Sequence, residues 1–246
     1  MALNLVYKKV NMVNYFRREF IDRGEWCLKV EKIMKKLFSL FMIIALSLTL
    51  SACSSEPEVE EEKEEVYETF VRGEWVDNVY TNDFLGFSFT LPENWTLASD
   101  EELLSMLETA TDEMLTEEMK EQYDKAIESA QSFYEFAVFN LTTGESMVLN
   151  IEDLSKTVGA ILLSEDQFID ALETNFGSVE GVKFEILNRE DVSLSMGKFR
   201  VLNINVNDVM TQKYYVMKDG KYMISFIVGY LNQVHDGVDS ILEQIQ

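Results

Sequence analysis

Tyr214-Tyr215-Val216-Met217-Lys218-Asp219-Gly220-Lys221-Tyr222-Met223-Ile224-Ser225-Phe226-Ile227-Val228-Gly229-Tyr230 decides the fold class of this chain. Asp219-Gly220 sits between two runs rich in β-branched and aromatic residues, the signature of a tight hairpin, and the dipeptide predicts a type I′ turn. From Met223 to Val228 only Ser225 is polar. A strand without alternation is buried on both faces, so something covers each side of its sheet. Upstream the pattern repeats: strands are predicted over 182–188, 192–195, 198–205 and 209–217, with Met196-Gly197 as a further turn. Hairpins in succession make an antiparallel sheet, because parallel neighbours need a crossover after each strand.

Working towards the N-terminus, Ser164 and Gln167 form a capping box for a helix that carries Phe168, Leu172 and Phe176 at four-residue steps, with Gly177 placed to end it. Two strands over 133–141 and 146–152 flank Thr142-Thr143-Gly144-Glu145 as another hairpin. Leu115, Met119, Tyr123, Ala126, Ile127 and Ala130 form one helical stripe, and Ser99 with Glu102 caps a short helix before it. Phe87, Phe89 and Leu91 alternate with Ser88 and Thr90 as a half-buried strand stopped by Pro92, and Trp95 is expected in the core behind it. Val234, Val238, Ile241, Leu242 and Ile245 give a closing amphipathic helix. The class is α+β: one twisted antiparallel sheet sandwiched by helices, as a single domain over 70–246.

Tyr80-Thr81-Asn82 and Gly86-Phe87-Ser88-Phe89-Thr90-Leu91-Pro92-Glu93-Asn94-Trp95 resemble the opening hairpin of small secreted domains of the PsbP-like group. That group includes DcrB-type lipoproteins and shares its fold with a Ran-binding nuclear import factor. The resemblance implies an α/β/α sandwich in which the Trp closes one edge of the core. It carries over no functional residue, so neither photosystem binding nor Ran binding is implied.

The first fifty residues read differently. Lys35-Lys36 precedes the apolar run 37–50, then Leu50-Ser51-Ala52-Cys53, then Ser54-Ser55-Glu56-Pro57. Basic, apolar, small and polar is the order of a secretory signal peptide, and the run is short for a membrane-spanning helix. Leu50, Ser51 and Ala52 before Cys53 resemble the bacterial lipobox, so residues 34–53 are read as a lipoprotein signal. The resemblance implies that Cys53 carries a covalent diacylglycerol and an N-acyl lipid. Two chains anchor stably, at about 0.8 kcal/mol per buried methylene. The alternative is an uncleaved anchor, or a buried helix with an incidental Cys53. Residues 1–33 are read as a leader extension or mis-called start ahead of Met34, or else as an extended basic region of the signal. Arg-Gly-Glu-Trp at 23–26 recurs at 72–75 with no matching surroundings, so it is not a repeat.

The chain holds 21 basic and 44 acidic residues; nine and four of these lie in 1–53, leaving 12 basic against 40 acidic from 54 onward, a formal charge of −28. A polyanion repels nucleic acid, which excludes a broad DNA or RNA interface. Residues 54–69 hold eight Glu and little apolar content, so they are expected to stay extended as an acidic tether of about 50 Å at full stretch.

Chemistry-bearing residues are sparse. His235 is the only histidine, and Cys27 and Cys53 are the only cysteines, both ahead of the domain. No metal-ligand spacing, phosphate-binding glycine pattern or marked acid pair stands out. Asp83, Glu190, Asp191 and Asp208 are placed at predicted turns and are candidate calcium oxygens, without an EF-hand pattern. Tyr214, Tyr215, Tyr222 and Tyr230, on adjacent predicted strands, are candidates for a ligand groove, with core packing as the competing use. No catalytic residue, metal or cofactor is expected. The expected protein is a lipoprotein on the bacterial cell membrane, facing away from the cytoplasm and acting as a binding or assembly module for a protein or envelope component. The alternatives are a small-molecule-binding lipoprotein and a carboxylate-based hydrolase.

Overall fold

The computed structural model describes residues 69–99, 101–103, 132–140, 142–157, 159–177, 182–232 and 241–245. Three short strands, β1 (Glu74–Val76), β2 (Val79–Asn82) and β3 (Phe87–Thr90), pair in sequence order as a small antiparallel sheet. The rest of the β structure is one seven-stranded sheet built from β4 (Thr96–Leu97), β5 (Ser132–Asn140), β6 (Glu145–Asp153), β7 (Phe184–Leu194), β8 (Gly197–Val206), β9 (Met210–Asp219) and β10 (Tyr222–Leu231). Its order is β4-β5-β6-β10-β9-β8-β7, every pair antiparallel. Helix α1 (Glu165–Phe176) joins β6 to β7 after two 3₁₀ turns, Leu154–Lys156 and Ala160–Leu162. The α+β, antiparallel architecture expected from the hairpin succession is the one observed.

Both faces of the large sheet are covered, as the apolar run in β10 requires. On one side Phe168, Ile169, Leu172 and Phe176 of α1 pack with Val148, Leu202, Ile204, Tyr214, Met223 and Ile227. The capping box is present: Ser164 and Gln167 exchange side-chain to backbone hydrogen bonds. On the other side Tyr80, Phe87 and Phe89 of the small sheet, with Ile241, Leu242 and Ile245 near the C-terminus, pack on Leu149, Phe199, Val201 and Phe226. The second cover is therefore shared between a small sheet and the helical residues 241–244. Trp95 is buried within this second layer. Its replacement by Ala is expected to cost about 3 kcal/mol, read from the shift in denaturant midpoint; a loss under about 1 kcal/mol would place the indole outside the core.

Three local expectations are corrected. The strands predicted at 182–188 and 192–195 are one continuous strand, β7, with a bulge between Ile186 and Asn188. Arg189-Glu190-Asp191 reads as a turn because β7 is an edge strand, whose charged side chains stay in water and find partners there. Arg189 pairs with Asp170 of α1 at 2.7 Å, and Asp191 pairs with Lys198 at 2.8 Å. The type I′ turn lies elsewhere: Asn207 and Asp208 both have positive φ, at 53° and 58°, and the Val209 amide donates to Val206 O. At the β9–β10 turn only Gly220 has positive φ, so the pattern is that of type II′. Gly177 ends α1 in the right-handed region, at φ −66°, so its freedom is not used there. The capping box of Ser99 and Glu102 is formed, whereas the predicted helical stripe over 115–130 lies outside the described residues.

Candidate functional site

Between its polar ends, Ser132 and Asn140, β5 is aromatic or aliphatic except at Glu135, and that exception organises the small sheet. The register of β5 against β6 slips between Tyr134 and Phe136, which makes Glu135 the extra residue of a β-bulge. A bulge reverses the facing of the residues beyond it. Tyr134 joins the α1-side core, and Phe136, two residues on, joins the opposite one. Glu135 points towards the small sheet with its side chain 1% exposed. Its Oε1 accepts hydrogen bonds from the Gly73 amide and from the Tyr80 hydroxyl at 2.9 Å, and its Oε2 accepts one from Arg72 Nε at 3.1 Å. The Arg72 guanidinium also donates to the carbonyls of Tyr134 and Glu135. Asn82 extends the network, donating to Tyr80 Oη and to Val71 O while accepting from the Leu85 amide. Burial, ahead of the neighbouring carboxylate, raises the Tyr80 phenol above its ordinary value, so Tyr80 acts here as a hydrogen-bond donor and not as an acid.

Gly73 is required by this geometry. A Cβ at that position would lie 2.4 Å from Tyr80 Oη and 2.6 Å from Thr81 O. The segment at which the acidic stretch meets the domain is thus latched through Arg72 and Gly73 to the bulge of a buried strand.

A second polar group lies on the opposite face of the large sheet. Ser132 stands opposite Glu152, and Ser225 of β10 stands opposite Asn150. All four residues are buried. Ser132 Oγ lies 3.0 Å from Asn150 Oδ1, and Asn150 Nδ2 lies 3.5 Å from Glu152 Oε1. Among the described residues Glu152 Oε2 and Ser225 Oγ have no hydrogen-bond partner. Burial holds the Glu152 carboxyl well above the usual carboxylate range, so it holds its proton to higher pH than a carboxyl in water.

The four tyrosines do not form a groove. Tyr214 faces α1, where it lies 5.5 Å from the Phe176 ring and donates to Gln212, whereas Tyr215 and Tyr222 face the small sheet. Tyr222 is buried against Phe70 and Phe84 and its hydroxyl accepts from the Phe70 amide. Tyr230, half-buried, lies eight positions along β10 from Tyr222, about 26 Å at the strand rise. Alternation along one strand and distance along another separate them.

The expected acidic turn residues are dispersed too. Asp208 pairs with Lys183 at 3.0 Å, Glu190 accepts from Asn203, and Asp191 is held by Lys198 and Arg200. Among the described residues no group of three or more His, Cys, Asp or Glu could hold a metal ion, and no helix is long and apolar enough to cross a membrane. Leu50, Ser51, Ala52 and Cys53, like Cys27 and His235, lie outside the described residues.

Sequence reading passed over Glu135, Asn150 and Glu152 as members of a large acidic and polar population. The available signal was local: a charged or amide side chain inside an otherwise apolar strand with no room for a solvated face.

No protein-family model matches the chain, and no curated protein matches it. Among solved structures it is similar to the solution structure of cyanobacterial PsbP (CyanoP) from Synechocystis sp. PCC 6803, at 14% identity and a TM-score of 0.40, over 68% of this chain and 87% of that one.

Proposed function

We propose that this protein is a lipid-anchored, extracytoplasmic lipoprotein of the PsbP-like, DcrB-type group whose globular domain serves as a non-catalytic binding or assembly module for a protein or envelope component. The observation that carries the reading is the order Lys35-Lys36, apolar run, Leu50-Ser51-Ala52-Cys53, acidic stretch and folded domain. The latch supports it. A tethered domain feels the pull of its tether where the chain enters, and here that point is bolted to the large sheet by Arg72, Gly73 and the buried Glu135 carboxylate. Lipid on Cys53 and the acidic stretch that follows it would then hold the domain up to some tens of ångströms from the bilayer. Its negative charge favours basic or cationic partners, with association that weakens as salt screens it over a Debye length of about 8 Å.

Feeding cells a fatty-acid analogue is expected to label the wild type and leave Cys53→Ser unlabelled. Equal labelling of both would remove the anchor from the reading. Crosslinking in the native membrane, with identification of the attached species, tests the binding role. Turnover of a glycan or ester by purified protein, lost when a carboxylate pair is changed to amides, would replace that role with the hydrolase alternative.

A further inference from the structure

The buried polar group on the α1-side face has no part in the anchor, the latch or the core, and interior oxygens are rarely left without a partner. Two of its atoms, Glu152 Oε2 and Ser225 Oγ, are in that state, on side chains belonging to residues 1% and 2% exposed. We propose that Glu152, Asn150 and Ser225 form an interior site for one monovalent hard cation, sodium or potassium, with Ser132 donating to Asn150 Oδ1 and orienting that amide.

Strand register supplies the geometry. Three adjacent strands contribute: Ser132 from β5, Asn150 and Glu152 from β6, and Ser225 from β10, with Ser132 opposite Glu152 and Ser225 opposite Asn150. Side chains directly opposite one another on a sheet are about 5 Å apart at Cβ. Asn150 and Ser225 are such a pair and Glu152 is the diagonal neighbour of Ser225, about 7–8 Å away, so these three side chains can reach one ion and leave no room for an organic guest. The donor chemistry narrows the class. Apart from the Asn150 amide nitrogen, the polar atoms offered are a carboxylate, an amide carbonyl and a hydroxyl, the ligands of hard cations and not of metals that favour thiolate or imidazole. Charge decides the valence. The cation takes the place of the proton that the buried Glu152 carboxyl otherwise keeps, and the one carboxylate so formed neutralises one positive charge, whereas a divalent ion would leave an unpaired charge in the interior.

A bridging water is the competing occupant. It would satisfy the same two oxygens but would not depend on which salt is present, and this difference provides the test. Thermal unfolding of the full chain would be monitored in sodium, potassium and tetramethylammonium chloride at one ionic strength, about 0.15 M. Tetramethylammonium is too large to enter. The wild type is expected to melt about 3–6 °C higher in sodium or potassium than in tetramethylammonium, the shift expected of an ion bound at about tenfold above its dissociation constant. Glu152→Gln, which removes the charge and keeps the shape, is expected to melt at the same temperature in all three salts. Ser225→Ala takes away one oxygen with little volume, so it serves if the first variant does not fold; it should shrink the difference to less than half. Equal melting of the wild type in the three salts, or the same salt difference in wild type and variants, would overturn the site and leave water or a retained proton as the occupant.

Discussion

Phe136→Ala is expected to lower the free energy of unfolding by about 5 kcal/mol, the upper end of the range for a buried Phe. The ring is 2% exposed and fills the space between the two sheets. It lies 4.8 Å from the Tyr80 ring, 5.4 Å from Phe89 and 5.9 Å from Trp75, centroid to centroid. Aromatic pairs add roughly 0.5–1.5 kcal/mol beyond area burial. The three partners sit on different strands of the small sheet, so they have no common way to collapse into the void. Equilibrium denaturation checks the magnitude. A loss below about 2 kcal/mol would mean that the small sheet docks loosely and that the ring is not its anchor. Near-ultraviolet circular dichroism should report the disturbed aromatic cluster in the same sample.

Glu135→Ala, one residue away, is expected to cost about 4 kcal/mol for a different reason. Removing the carboxylate strands the Gly73 amide and the Tyr80 hydroxyl inside the protein, and each buried unsatisfied donor costs about 1–3 kcal/mol. Arg72 keeps its bonds to the carbonyls of Tyr134 and Glu135 and is half in water, so it contributes less to the loss. Glu135→Gln retains an acceptor for Tyr80 and Gly73 but presents an amide nitrogen to Arg72. It should therefore lose about half as much as the Ala variant. Equal losses in the two variants would show that the charge, and not the acceptor geometry, holds the latch. Hydrogen exchange at 71–82 should accelerate in Glu135→Ala well before that of β8–β10, since the small sheet is held mainly by this network and by the aromatic cluster beneath it.

The two variants also separate what was legible from what was not. Phe136 stands in a run of aromatic and aliphatic residues, and its burial was readable from that run. Glu135 was not readable as a latch, because its partners Arg72, Gly73 and Tyr80 lie 55 or more positions away in the chain and meet it only because a bulge turns its side chain to their face. The same holds for Glu152 and Ser225, which are separated by most of the β half and brought together by the register of β6 on β10. Tyr214 and Tyr215 illustrate the reverse case. Their place with Tyr222 and Tyr230 on adjacent strands offered a shared groove, yet the period of two along a strand sends consecutive side chains to opposite faces.

Local chemistry determined the element types, the antiparallel pairing and the need for two covers, because turn residues, capping boxes and unbroken apolar strands act over a few residues and are visible wherever they occur. The anchor expectation has the same origin, in a contiguous stretch whose order carries its meaning. Tertiary structure alone decided that β4 and β5 lie beside β6 while β7 forms the opposite edge, that a small sheet shares the second cover, and that Glu135 and Glu152 are buried on opposite faces of the large sheet. Those outcomes depend on strand order, on a one-residue slip in register and on long-range hydrogen bonds, none of which leaves a periodic trace in the chain.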